Sequence, residues 1–287
     1  MPLIYKLSEV QTDDPIAVSE AIRAMVIELY PTAKGDRISS LIDTTVALFK
    51  GQIKPYQAID ACYHDLEHTM QVTLCWMRLF YNLKLHGPYP EIPFSYCMIG
   101  LASALFHDTG YLKEQHDEQG TGAKYTLIHE SRSCHIAANV LSERNWPDSQ
   151  IAIVQRFIST TGSRAVIAAI PYENETEKAL AQALASADFL AQLSDPHYLV
   201  KLPLLYAEFE EAADHRHVPD AQRPFKSLEN LIEETPAFWH RIVFPKLSTE
   251  FNSLYKFLDC PYPEGTNPYL EQAILNIGNL STSEKQS

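Results

Sequence analysis

Apolar residues recur along most of this chain at three- and four-residue spacing, the period of a helix with one buried face, and no run alternates long enough to establish a strand. From Asp14 to Tyr30 the stripe is Ile16, Ile22, Val26 and Leu29, with Pro15 suited to a first helical turn. A second helix is predicted from about Asp36 to Lys50, with Ile38, Leu41, Ile42, Val46 and Leu48 or Phe49 inward and Gly51 as its stop. A third runs from Tyr56 to about Lys84 and buries Met70, Val72, Leu74, Cys75 and Leu79. After a loop with Gly87, Pro88 and Pro90 comes LASALFHDTGYL, Leu101 to Leu112, where Ala102, Leu105 and Phe106 face inward. That run meets the adjacent His107 and Asp108, and Gly110 reads as a positive-φ stop that leaves the pair at the mouth of the core.

The stretch KEQHDEQGTGAKYT, with His116, Asp117 and Glu118, has no apolar period and reads as an exposed loop over the site. Helices resume from His129 to Glu143, with Ile136, Val140 and Leu141 inward, and from about Asp148 to Thr160 before Gly162. The run Ala165 to Ile170 is too brief to establish a sheet, and ALAQALASADFLAQLSD surrounds Asp188 with apolar side chains. From Pro196 to about Asn279 three more helices are predicted, with a loop from Asp214 to Phe225 between the first two. Phe238, Trp239, Val243, Phe244, Leu247, Phe251, Leu254 and Phe257 give the second its stripe. Ser281 to Ser287 reads as a polar tail. The expectation is an all-α chain in which residues 1–280 form one domain.

Composition narrows the function classes. The chain has 287 residues, 46% of them hydrophobic and 21% charged, enough for a sizeable core. A formal charge of -13 excludes a broad nucleic-acid surface, although a small anionic substrate stays open because bound metal ions would dominate the local field. The five cysteines, Cys62, Cys75, Cys97, Cys134 and Cys260, are odd in number and form no CxxC pair, which fits reduced thiols. MPLIYKLSEVQTDD lacks the apolar centre of a signal peptide, and the longest apolar stretch, Cys97 to Phe106, is too short to span a bilayer. The expected location is cytoplasmic.

The candidate chemistry lies in histidines and carboxylates. His64 and His68 are four apart, which on a helix stacks them on one face. Imidazole and carboxylate are good ligands for first-row metals, and a carboxylate such as Asp108 can bridge two ions. Taken alone, His107 and Asp108 read equally as a helix end with a dipole-compensating imidazole and a capping carboxylate. At a helix N-terminus, His129 is favoured in its neutral, ligating form. His135 is out of phase with it and reads as structural or exposed. Asp188, enclosed by apolar residues, needs a partner or a metal. Lys113, Lys124, Arg132 and Arg156 are candidate phosphate contacts.

The order His68, His107-Asp108, Asp188 on a helical chain resembles the HD superfamily of metal-dependent phosphohydrolases. YHDLEHTMQV also resembles the YHNxxHxxxV signature of that superfamily's cyclic-nucleotide phosphodiesterase branch. The likeness spans Tyr63 to Leu193. It implies an HD-domain helical bundle, core about 56–200, with additional N-terminal (14–51) and C-terminal (196–280) helices. It further implies that His68, His107, Asp108 and Asp188 bind a divalent metal ion, with Mg, Mn, Zn, Co, Ni and Fe all candidates. His129 would ligate a second ion bridged by Asp108, and His64 would be the general acid opposite a metal-activated water. Three departures bear on this: Asp65 stands for the signature's Asn, Tyr111 for the Lys that often follows HDxG, and no His occurs between His135 and Asp188, so a second ion would have few protein ligands.

The implied function is a metal-dependent phosphohydrolase or phosphodiesterase acting on a small phosphoester, a nucleotide among the candidates, with His64 and Asp108 as catalytic residues. The implied partners are that small phosphorylated substrate, no extended nucleic acid and no membrane, with a homo-oligomer left open. Two alternatives are a di-iron HD-fold oxygenase and a non-catalytic metal- or nucleotide-binding sensor domain. Substrate-binding residues are not legible.

Overall fold

A computed structural model describes residues 7–33, 35–89 and 91–283. The expectations for residues 1–6, for Pro90 and for residues 284–287 of the tail lie outside these. Among the described residues the chain forms ten α-helices with short 3-10 and π segments between them, and only isolated β-bridges. The architecture is all-α. The Ala165–Ile170 run contains a 3-10 turn, Ile167–Ala169.

The third helix, α3 (Leu66–His86), is the axis of the molecule: every residue from Val72 to Leu83 is buried. A helix apolar on all sides has to be surrounded, and α3 packs against α1 (Pro15–Leu29), α4 (Phe94–Phe106) and α7 (Glu175–Leu193). Its neighbours approach closely because they present small residues. On α7, Ala179, Ala181, Ala183, Ala185, Ala187 and Ala191 are all buried. On α4, a Cβ at Gly100 would lie 1.9 Å from Cζ2 of Trp76, so only glycine lets α4 cross the indole. Helices α5 (His129–Glu143) and α6 (Asp148–Ile158) cover the other side of α4, while α2 (Asp36–Phe49) packs on α1 and α4. Helices α8 (Tyr198–His215), α9 (Leu228–Phe238) and α10 (Pro268–Ser283) complete the bundle.

The helical period locates these elements to within a residue or two at most ends, and four readings need correction. Ile16 is 70% exposed; α1 buries Val18, Ile22, Met25 and Val26, a stripe on which Ile16 is out of phase. Residues 56–65 are not part of α3, which begins at Leu66 because Asp65 caps it, its carboxylate accepting the amide of His68 at 2.9 Å. The aromatic stripe after Phe238 does not continue one α-helix: Pro236 and Pro245 each remove a backbone donor, and the chain passes through two π turns (Trp239–Val243, Lys246–Glu250) and a 3-10 segment (Leu254–Leu258). Phe244 on that stripe stays 37% exposed. The predicted polar tail begins inside α10, which runs to Ser283. None of the helices among the described residues is long and apolar enough to cross a membrane.

Candidate metal centre

Helix α4 stops at Phe106 with His107 as its C-cap, and Asp108 leads into a 3-10 turn, Thr109–Tyr111. Gly110 has no positive φ. Its role is close approach, because a Cβ there would sit 1.9 Å from the carbonyl oxygen of His129. That contact, with the Gly110 amide donating to Ser133 Oγ at 2.8 Å, sets the turn against the first residues of α5. His107 and Asp108 are consequently deep in the core, 1% and 2% exposed, and not at its mouth.

Four elements converge here. One ligand atom each from His68 on α3, His107 after α4 and Asp188 on α7 lie within 4.8 Å of one another. Asp108 Oδ2 is 3.3 Å from His68 Nε2 and 3.1 Å from His107 Nε2, while its Oδ1 is 3.5 Å from Nε2 of His129 at the start of α5. Asp188 Oδ1 is 3.7 Å from His68 Nε2 and 3.6 Å from His107 Nε2.

The hydrogen bonds around this cluster fix which atoms are lone pairs. His107 Nδ1 donates to the Ala104 carbonyl and His129 Nδ1 to the Thr126 carbonyl, each at 2.7 Å, so in the neutral rings both Nε2 atoms are bare acceptors pointed at carboxylate oxygens. Acceptor facing acceptor, buried, requires a cation between them. His107 Nε2 and Asp108 Oδ2 are indeed buried without a hydrogen-bond partner. When that cation is a proton, burial opposes the charged forms, but the two carboxylates outweigh it. Asp108 and Asp188 lift His107 well above the usual histidine range and raise His68 to about 9, and the imidazoles hold both carboxylates well below their ordinary values. A divalent ion fits the same atoms: nitrogen and oxygen donors, with two histidines held in the ligating tautomer by backbone carbonyls.

His64 lies in the turn before α3, so the helical i,i+4 stacking with His68 does not exist; the two rings meet edge-on with centroids 5.7 Å apart. What holds His64 is Glu208 on α8, 144 residues away in sequence. Its Oε2 is 2.5 Å from His64 Nδ1, and its Oε1 accepts the amides of Tyr63 and His64 at 2.7 and 3.3 Å. Burial pulls the His64 pKa down, but the charge and hydrogen bond of Glu208 raise it overall, and His64 in turn lowers Glu208. Sequence reasoning missed Glu208, one acid among several in YAEFEEAADH; no periodic signal marks it.

All four candidate phosphate contacts are occupied within the protein. Lys113 bonds Asp60 and the Gly120 carbonyl, Lys124 bonds Asp117, Arg132 bonds the carbonyls of Gly110 and Leu112, and Arg156 bonds Glu173 and Glu177. The loop predicted as exposed is in part a strap: His116 and Glu118 are exposed, whereas Lys113 and Lys124 are buried in those bonds. His135 is exposed, apart from the cluster. Two surface clefts, of about 330 and 430 Å³, lie elsewhere on the molecule. The cluster meets solvent at the side chains of Asp188, His64 and His129, which are 16%, 14% and 12% exposed.

A family model described as Npun_R2479-like matches residues 30–259. Among solved structures, the chain is similar to the phosphodiesterase domain of the RhoPDE fusion protein from the choanoflagellate Salpingoeca rosetta. The TM-score is 0.59 at 15% identity, covering 100% of this chain and 96% of that one, a likeness of fold. No curated protein matches the chain.

Proposed function

The chain belongs to the Npun_R2479-like family, and we propose that it is a metal-dependent phosphodiesterase of the HD type that hydrolyses a small phosphoester, a nucleotide among the candidates. The observation that carries this reading is the buried facing of bare acceptors, His107 Nε2 and Asp108 Oδ2, in a cluster of two imidazoles and two carboxylates, with His64, paired to Glu208, beside it. The fold likeness to a phosphodiesterase domain supports it.

His68, His107, Asp108 and Asp188 would hold a divalent ion. Asp108 Oδ1 and His129 would offer a second position. A metal bound there supplies Lewis acidity and an activated water. The chain's own contribution is the proton: Glu208 fixes Nδ1 of His64 and favours the imidazolium, so Nε2 carries the proton for the departing oxygen while Nδ1–H stays on Glu208. Tyr63, buried, packs against the rings of His64 and His68 at centroid separations of 5.0 and 5.9 Å.

The test is hydrolysis of bis(p-nitrophenyl) phosphate and of cyclic nucleotides with Mn²⁺ or Mg²⁺. Asp108→Ala is expected to abolish turnover while leaving the helical circular-dichroism spectrum unchanged. Turnover retained in that variant would remove the assigned site.

A further inference from the structure

The ring of Tyr111 bears on both the acid and the outer ligand. It stacks with His64 at a centroid separation of 4.4 Å and an interplanar angle of 9°, and with His129 at 4.7 Å and 25°. The two imidazole centroids are 6.2 Å apart, far less than if they lay on opposite faces of the phenol. They therefore rest side by side on one face of it.

This floor is itself fixed. Tyr111 is buried. The backbone on either side is clamped by Arg132, which donates to the carbonyls of Gly110 and Leu112, both at 2.7 Å, and by Ser133 on the Gly110 amide. An imidazole's N–H bonds and lone pairs lie in its ring plane. A flat floor therefore constrains the Nε2 directions of both histidines, along which His64 would deliver its proton and His129 would face an ion. Such stacked aromatic contacts favour one ring orientation over the others.

We infer that Tyr111 is a positioning residue that aligns the proton donor His64 and the second-ion ligand His129 on one aromatic plane. This rests on the phosphodiesterase reading above. It separates from a merely structural role in three ways. First, planarity matters and the hydroxyl does not: Tyr111→Phe behaves as wild type. Second, Tyr111→Leu, which removes the plane, acts on the acid. Its kcat for a 3′,5′-cyclic nucleotide, whose leaving alkoxide needs a proton, falls about a hundredfold or more, while kcat for bis(p-nitrophenyl) phosphate, whose leaving group does not, falls less than about tenfold. Third, the weaker class of Mn²⁺ sites in a calorimetric titration loses about tenfold or more in affinity in Tyr111→Leu, with the tighter class unchanged.

Equal losses for both esters, or a Tyr111→Phe variant that behaves like Tyr111→Leu, overturn the acid-aligning role. A single class of Mn²⁺ site in the wild type, or a weaker class unchanged by Tyr111→Leu, overturns the role at His129. Should Tyr111→Leu not fold, Tyr111→Met, a flexible side chain without a plane, takes its place with the same expectations. A wild type inactive on both esters overturns the phosphodiesterase reading, and the Mn²⁺ titration then still decides whether Tyr111 aligns His129.

Discussion

The pairing of His64 with Glu208 makes proton affinity a property of two elements that sequence keeps far apart. The folded pKa of His64 is raised above 6.5, so this group's contribution to stability is complete below that pH and is lost as pH rises through the folded value. The folded pKa of Glu208 is lowered below 4.5, so its contribution is present above that pH and lost as pH falls through the folded value. Both are in place between those two limits, and the pair stabilises the fold most at mildly acid pH. If His64 is the acid of the proposed phosphodiesterase, the alkaline limb of kcat is expected to follow loss of its proton. Glu208→Gln removes the charge that raises this pKa, so the limb is expected to move to lower pH, and kcat should fall most at alkaline pH. Parallel pH-rate profiles of the two proteins check this; superimposable alkaline limbs would take Glu208 out of the acid's control. The residues that the fold gathers into this cluster are readable one by one, since His68, His107, Asp108, His129 and Asp188 each sit in a recognisable local context. Glu208 is not, because a pairing across 144 residues leaves no local trace.

At the scale of the element, the turn between residues 56 and 65 matters more than the helix that follows it. Asp65 ends the turn and starts α3, and its carboxylate satisfies the amide of His68 in the first turn. The cap is legible in the sequence, an Asp three residues before His68, but an i,i+4 histidine pair points to a continuous helix and the cap to a break. The cap prevails because Glu208 adds acceptors for the amides of Tyr63 and His64, which a continuous helix would have used internally. Asp65→Ala is therefore expected to cost about 1 kcal/mol of stability. It should lower turnover as well, because the backbone that presents His64 loses its stop; chemical denaturation and kcat measured on the same preparation test both. The same helix α8 ties down other parts of the rim. Glu211 accepts from Thr121 in the strap, and Lys201 bonds Glu67 on α3 at 2.9 Å and Asp195 at 2.7 Å. Glycine has a comparable element-scale role at Gly110, where contact with α5, not backbone torsion, requires it.

Over the whole molecule the centre brings together residues from α3, α4, α5 and α7, so an ion held there would cross-link these helices. A ligand that binds the folded state alone stabilises it by mass action, about 2.7 kcal/mol at a hundred times its Kd. Addition of Mn²⁺ should accordingly raise the unfolding midpoint, EDTA should reverse the rise, and Asp188→Ala should abolish it; a midpoint indifferent to Mn²⁺ in the wild type would count against a metal centre. The sequence by itself determined the helical class, the placing of most helices and the residue types of the centre, because periodicity, caps and ligand chemistry are local properties. Only the tertiary structure decided that His64 stands off its helix on a glutamate from α8, that Tyr111 underlies two histidines, and that the lysines and arginines near the site are used internally. Each of these depends on which distant surfaces pack together, and one-dimensional spacing carries no record of that.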